Sequence, residues 1–175
     1  MRIKLSGILR FFVSSPNSNI VTGATLNTTV SLEMVEKALY LVAEKHPFFQ
    51  MVLTINEKNE AYLVAKPNLK IIIKEYQDTP YQVITQQELQ TVHQLDKKAL
   101  IHFVLNQRKT HTDLLLVANH AICDGMSLNT VIAHIVQVLN GHSLKSIPKH
   151  QPIEAIAPPI EDSWSKNVLV KLVNK

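Results

Sequence analysis

The chain has 175 residues, 46% of them hydrophobic and 18% charged, and a formal net charge of +4. That length bounds one domain able to bury about 70% of its unfolded surface, and the composition excludes a disordered or collagen-like chain. No apolar run approaches the roughly 20 residues of a membrane span, and no Lys/Arg cluster is interleaved with aromatics, so neither a membrane span nor nucleic-acid binding is expected. The start of the sequence lacks a signal-peptide core, and a single cysteine, Cys123, excludes an internal disulfide, so a cytoplasmic protein is expected. The modest positive charge would suit an acidic partner such as a phosphorylated cofactor or carrier protein, although surface lysines alone give the same number.

Residues 3–13 read as a first strand, and the Ser/Pro/Asn-rich stretch 14–19 as a loop. Residues 21–30 read as a second, threonine-rich strand with Gly23 at a bulge. Ser31 is placed to cap a helix whose Leu32, Val35, Leu39 and Val42 share one face, and Pro47 ends it. Residues 48–55 and 61–65 predict a hairpin around 56–60, and 69–76 another strand. A helix over 81–92 follows, then a second hairpin from 100–106 and 113–118. The last long helix is expected over 126–140, stopped by Gly141. Strands and helices mixed in this way predict an α/β fold, a two-layer sandwich with a mixed, largely antiparallel sheet. Prolines at 148, 152, 158 and 159 exclude a sheet beyond residue 145. Residues 1–145 are therefore expected to form the folded lobe and 146–175 a Pro-rich linker and tail. Val168, Leu169, Leu172 and Val173 in that tail fit a short amphipathic helix or a segment docked on the core.

The residues richest in chemistry are Asn119-His120-Ala121-Ile122-Cys123-Asp124-Gly125. They follow the apolar run 114–118 and precede Leu128, Val131, Ile132, Ile135, Val138 and Leu139, spaced as one helix face. His120 thus falls on a strand-to-helix turn, with the pKa range of a general base. Asp124 is positioned to cap the helix, and Gly125 to relieve the turn. So short a pattern is also what a strand, a capped helix and an incidental histidine would give. Cys123 is taken as a small apolar filler rather than a nucleophile. The other histidines, at 46, 93, 102, 111, 134, 142 and 150, lack the spacing that puts metal ligands on one helix face, so no metal is expected.

The segment resembles the His-His-x-x-x-Asp-Gly signature of the chloramphenicol acetyltransferase-like superfamily, which includes condensation domains, polyketide-associated acyltransferases and alcohol acetyltransferases. Two further stretches are similar in the same order: Lys45-His46-Pro47 at the end of a helix, and Leu95-Asp96 leading to the strand before the signature. The resemblance spans residues 20–141. It implies His120 as general base, with Asn119, Asp124 and Gly125 supporting the site and Ser127 and Gln50 lining the cavity. It also implies an acyl thioester of coenzyme A or phosphopantetheine as donor, with no permanently bound cofactor, and an alcohol or amine as acceptor.

Two residues depart from the pattern. Asn119 stands where condensation domains carry their first histidine. Gln50 stands where they carry an arginine that pairs with the signature aspartate, and a neutral amide cannot make that charge-assisted bond. Arg10, another cation or the helix N-terminus would then have to serve Asp124. In two-lobed members the signature lies in the first lobe and a second lobe completes the channel. The chain is therefore expected to be a first lobe, completed by a C-terminal lobe or by self-association through the lobe interface; the trimeric single-lobe acetyltransferases are the other arrangement. The departures also keep open a non-catalytic binding or recruitment module.

Overall fold

The computed structural model describes residues 2–5, 7–15, 18–66, 68–93 and 98–145. The expected linker over 146–162 and tail helix over 164–173 lie outside them. Among the described residues, seven strands and four helices run in the order β1 (Arg2–Lys4), α1 (Gly7–Ser14), β2 (Asn19–Leu26), α2 (Leu32–Lys45), β3 (Met51–Ile55), β4 (Ala61–Ala65), β5 (Ile73–Gln77), α3 (Tyr81–Leu89), β6 (Ile101–Gln107), β7 (Thr112–Asn119) and α4 (Gly125–Leu139). A 3-10 turn over Pro47–Gln50 joins α2 to β3.

The fold is mixed α/β, as the residue pattern implies. Its strands form two sheets, ordered β1-β4-β3 and β2-β7-β6-β5. Every pairing is antiparallel except β5 with β6, which are parallel and joined through α3. Parallel neighbours need a crossover, and α3 supplies it.

β7 is buried over its whole length because both of its faces are covered. Leu114, Leu116 and Ala118 join Phe103 and Leu105 of β6 in the main core, with Val35, Leu39 and Val42 of α2 and Leu128, Val131, Ile132 and Ile135 of α4. Leu115 and Val117 point the other way, onto Val104 and Ile84 of α3. The period-2 alternation of a strand thus feeds two cores.

Most expected elements are present, with their ends moved by a few residues. Ser31 caps α2, its hydroxyl oxygen accepting the Met34 N–H at 3.2 Å. Gly141, at φ 78°, ends α4 in the left-handed conformation glycine favours.

The expected strand over 3–13 is corrected: only Arg2–Lys4 is extended, and Gly7–Ser14 is helical. Leu9 and Val13, four residues apart, both pack on the main core, and that helical spacing overrides the strand preference of Phe11, Phe12 and Val13. Gly23 marks no bulge, since β2 pairs with β7 without interruption from Asn19 opposite Asn119 to Leu26 opposite Thr112. A Cβ on Gly23 would lie 2.8 Å from the Leu114 carbonyl oxygen, so glycine is there to let two backbones approach. Residues 69–72 are not strand, and β5 begins at Ile73.

Candidate functional site

His120 stands in the turn between β7 and α4, and the turn is tied down on three sides. The Asn119 N–H donates to the Leu100 carbonyl at 2.9 Å, prolonging the β6–β7 pairing. The His120 N–H donates to the Ser18 carbonyl at 2.7 Å, fixing the turn to the start of β2. The buried Asn119 side chain does two things: its oxygen accepts the Ala121 N–H at 2.9 Å, and its nitrogen donates to the Phe12 carbonyl at 3.3 Å. Ala121 and Ile122 fill the space beneath.

The half-buried His120 ring lies face to face with the Phe12 ring, centroids 4.5 Å apart and planes 12° apart. Phe11 meets Phe12 edge-on at 5.9 Å and is itself 68% exposed. Phe12 is the neighbour that the residue pattern did not single out. The four-residue spacing of Leu9 and Val13 is the signal that would have placed it on a helix.

Asp124 caps α4, its carboxylate accepting the Ser127 N–H at 2.8 Å. That bond, together with the Ser127 side chain, holds its pKa below the usual 3.8. The helix N-terminus therefore serves as its partner, and no ion pair links it to Arg10 or to any other cation among the described residues. Gln50 is exposed and lies elsewhere. Its carbonyl accepts the Lys66 N–H at 2.7 Å, and it lines a groove of about 440 Å³ with α2 residues Leu39 and Tyr40 and with Leu69 and Ile71. His120 and Asp124 take no part in that groove.

Gly125 opens α4 without a steric need for glycine: its φ is not positive, and an added Cβ would meet nothing within 4 Å. The expectation that it relieves the turn is corrected on that point. Ser127 is exposed. Asn129, two residues further on, accepts the Thr22 hydroxyl at 2.8 Å and so ties α4 to β2.

Burial, aided by the Asp124 charge, pushes the Cys123 thiol up to about 12. A thiol so far from its thiolate is a poor nucleophile.

Two polar clusters lie away from this turn. His46, which ends α2, meets His134 of α4 ring nitrogen to ring nitrogen at 2.9 Å, and burial with the neighbouring imidazole pushes His46 down to about 4. Beneath α3, the buried Glu88 carboxylate takes bonds from His102 and Lys74 at 2.7 Å, Thr91 at 2.9 Å and Tyr76 at 3.0 Å. Except for the Thr91 bond, these pairings join residues at least twelve apart in sequence, for which no local pattern exists. Among the described residues no group of three His, Cys, Asp or Glu side chains could hold a metal ion, and no helix is long and apolar enough to cross a membrane.

Solved structures with the same fold include the condensation domain of the monacolin K polyketide synthase MokA (TM-score 0.72, 14% identity), of which 89% of this chain covers 38%. The first condensation domain of the calcium-dependent antibiotic synthetase, in complex with a substrate analogue, superposes at TM-score 0.71 and 11% identity, over 89% of this chain and 43% of that one. The starter condensation domain of rhizomide synthetase RzmA gives 0.68 and 13%, over 89% and 42%. The chain spans less than half the length of these structures. No curated protein sequence matches it. The family model of the condensation domain matches residues 13–155, and the chain belongs to that family.

Proposed function

We propose that the chain is the His120-bearing lobe of an acyltransferase that moves an acyl group from a coenzyme A or phosphopantetheine thioester to an alcohol or amine. The observation that carries this reading is the position of His120: half-exposed, on a turn whose backbone is pinned to β2 and β6 and whose asparagine is pinned to α1. Family membership supplies the class of reaction. His120 takes the proton of the acceptor hydroxyl or amine as that group attacks the thioester carbonyl. The tetrahedral adduct then collapses, the carbon–sulfur bond breaks, and the departing thiolate receives the proton. General acid–base help of this kind contributes about 10²–10⁴-fold. Asp124 acts here through the fold, by capping α4, and Cys123 takes no part.

The matched structures are more than twice as long as their overlap with this chain, which supports reading the described residues as one lobe of a two-lobed site. In the protein carrying both lobes, His120→Ala is expected to lower thioester turnover by at least about a hundredfold, while Cys123→Ala changes it little. Full turnover in the His120 variant would overturn the enzymatic reading.

A second reading has its own support. Asp124 has no arginine partner among the described residues, and Asn119 stands where the resembled signature has a histidine, which suits a non-catalytic module that binds a carrier protein or recruits a partner. Undiminished carrier binding in a protein without turnover would favour it.

A further inference from the structure

We propose that Phe12 is a positioning residue for the His120 base, holding the imidazole plane by stacking where other histidine bases are held by a hydrogen bond. The inference rests on the acyltransferase reading of His120. Its starting point is how little else orients that ring. A histidine base is ordinarily turned by a carboxylate or carbonyl on one ring nitrogen. Here the nearest carboxylate in sequence, Asp124, is bonded to the Ser127 N–H and meets His120 through its charge alone, and neither nitrogen of His120 has a hydrogen-bond partner among the described residues.

Rotation about the last side-chain bond of histidine is soft and roughly two-fold, so a backbone pinned at Ser18 fixes the origin of the ring and not its plane. The plane is set by Phe12, 4.5 Å away at 12°. A face contact restrains the tilt and leaves both nitrogens at the ring edge free for an acceptor proton and a leaving group.

Phe12 is in turn held from three directions. Its carbonyl accepts the Asn119 side chain, its ring takes the edge of Phe11, and Leu9 and Val13 anchor the helix that carries it. Residue 12 thus touches the base through its ring and the base's neighbour through its backbone. The Asn119 bond ties α1 to the turn. A polar orienter would tie up one nitrogen of the base, and the stack does not.

The test uses the protein carrying both lobes, assayed with an acyl-coenzyme A or an acylated carrier protein, whichever turns over. Phe12→Leu keeps an apolar side chain of lesser volume and loses the ring. Its kcat is expected to fall about tenfold, the scale of one aromatic pair, with KM within about twofold. Phe12→Tyr, which retains the ring face, is expected to restore most of the rate. Should Phe12→Leu not fold, Phe12→Met fills the space without a ring and carries the same expectation.

Proton NMR reads the stack independently of turnover. The His120 ring protons, assigned by their loss in His120→Ala, are expected to be displaced by the aromatic ring current, and the displacement should vanish in the Leu and Met variants. Wild-type kcat in those variants, with His120→Ala inactive, overturns the positioning role and leaves the base intact. Turnover surviving in His120→Ala removes the base and this inference with it.

Discussion

At the first turn of α4 the Asp124 carboxylate receives the Ser127 N–H at 2.8 Å, while Gln50 lines a groove with α2. Asp124 is thus served by the helix N-terminus, and no guanidinium pairs with it among the described residues. A cap tolerates asparagine almost as well as aspartate, so Asp124→Asn is expected to cost no more than the charge–dipole part, about 0.3–1 kcal/mol, while Asp124→Ala costs about 0.5–2 kcal/mol. The pKa of Asp124 is lowered by folding, so its contribution is fully present above the ordinary 3.8 and is lost as pH falls through the lowered value. Denaturant melts of both variants at pH 7 and pH 3 check the order. Asparagine as costly as alanine would mean that the charge of Asp124, felt by the helix N-terminus and by His120, outweighs its hydrogen bond to Ser127. His120, Asp124 and the cap were legible in the sequence because a strand, a turn and a helix face announce themselves locally. The Phe12 stack was not, because it joins two segments over a hundred residues apart.

Among the elements, α3 shows most clearly how a weak local pattern can be strongly held. Its apolar face is narrow, with Ile84 its one buried apolar residue, yet Glu88 beneath it gathers His102, Lys74, Thr91 and Tyr76. Burial alone would raise the Glu88 carboxyl. The bonds from His102 and Lys74, aided by the charge of His102 and the Thr91 hydroxyl, overcome it and bring the pKa from 4.5 down to about 2. The sign follows from linkage: a depressed carboxylate contributes stability above its ordinary pKa and loses it as pH falls from about 4.5 to about 2. Glu88→Gln is expected to cost on the order of 2 kcal/mol at pH 7, the worth of hydrogen bonds to a charged group, and the gap to wild type should close as pH falls through that window. A constant gap from pH 7 to pH 2 would show that packing, not charge, is what the substitution removes. The helix and both hairpins were readable from spacing and turn residues. The network was not, since Glu88 and His102 face each other only once β6 lies beside β5. In the sequence of α1 the strand-forming aromatics outweighed the helical spacing of Leu9 and Val13, which pack together on the core.

At the scale of the whole molecule, the two elements that meet at His120 both carry exposed apolar side chains. Phe11 on α1 is 68% exposed and Met126 in the first turn of α4 is 75% exposed. Exposed large apolar side chains near the His120 turn suit a surface that another protein surface covers, because true monomers keep such patches small. A second lobe, covalently continuous or supplied by another copy, is the cover that the length of the matched condensation domains supports. The 175-residue chain alone is therefore expected to bind a hydrophobic dye and to self-associate in light scattering as its concentration rises. The double variant Phe11→Ser/Met126→Lys should weaken both effects without moving the melting temperature by more than a few degrees, since neither side chain belongs to a core. A strict monomer at high concentration that takes up no dye would count against an uncovered lobe interface at His120. Association undiminished in the double variant would move the sticky surface elsewhere, to the exposed Tyr40 and Leu41 of α2 or the Val83 and Leu89 side of α3.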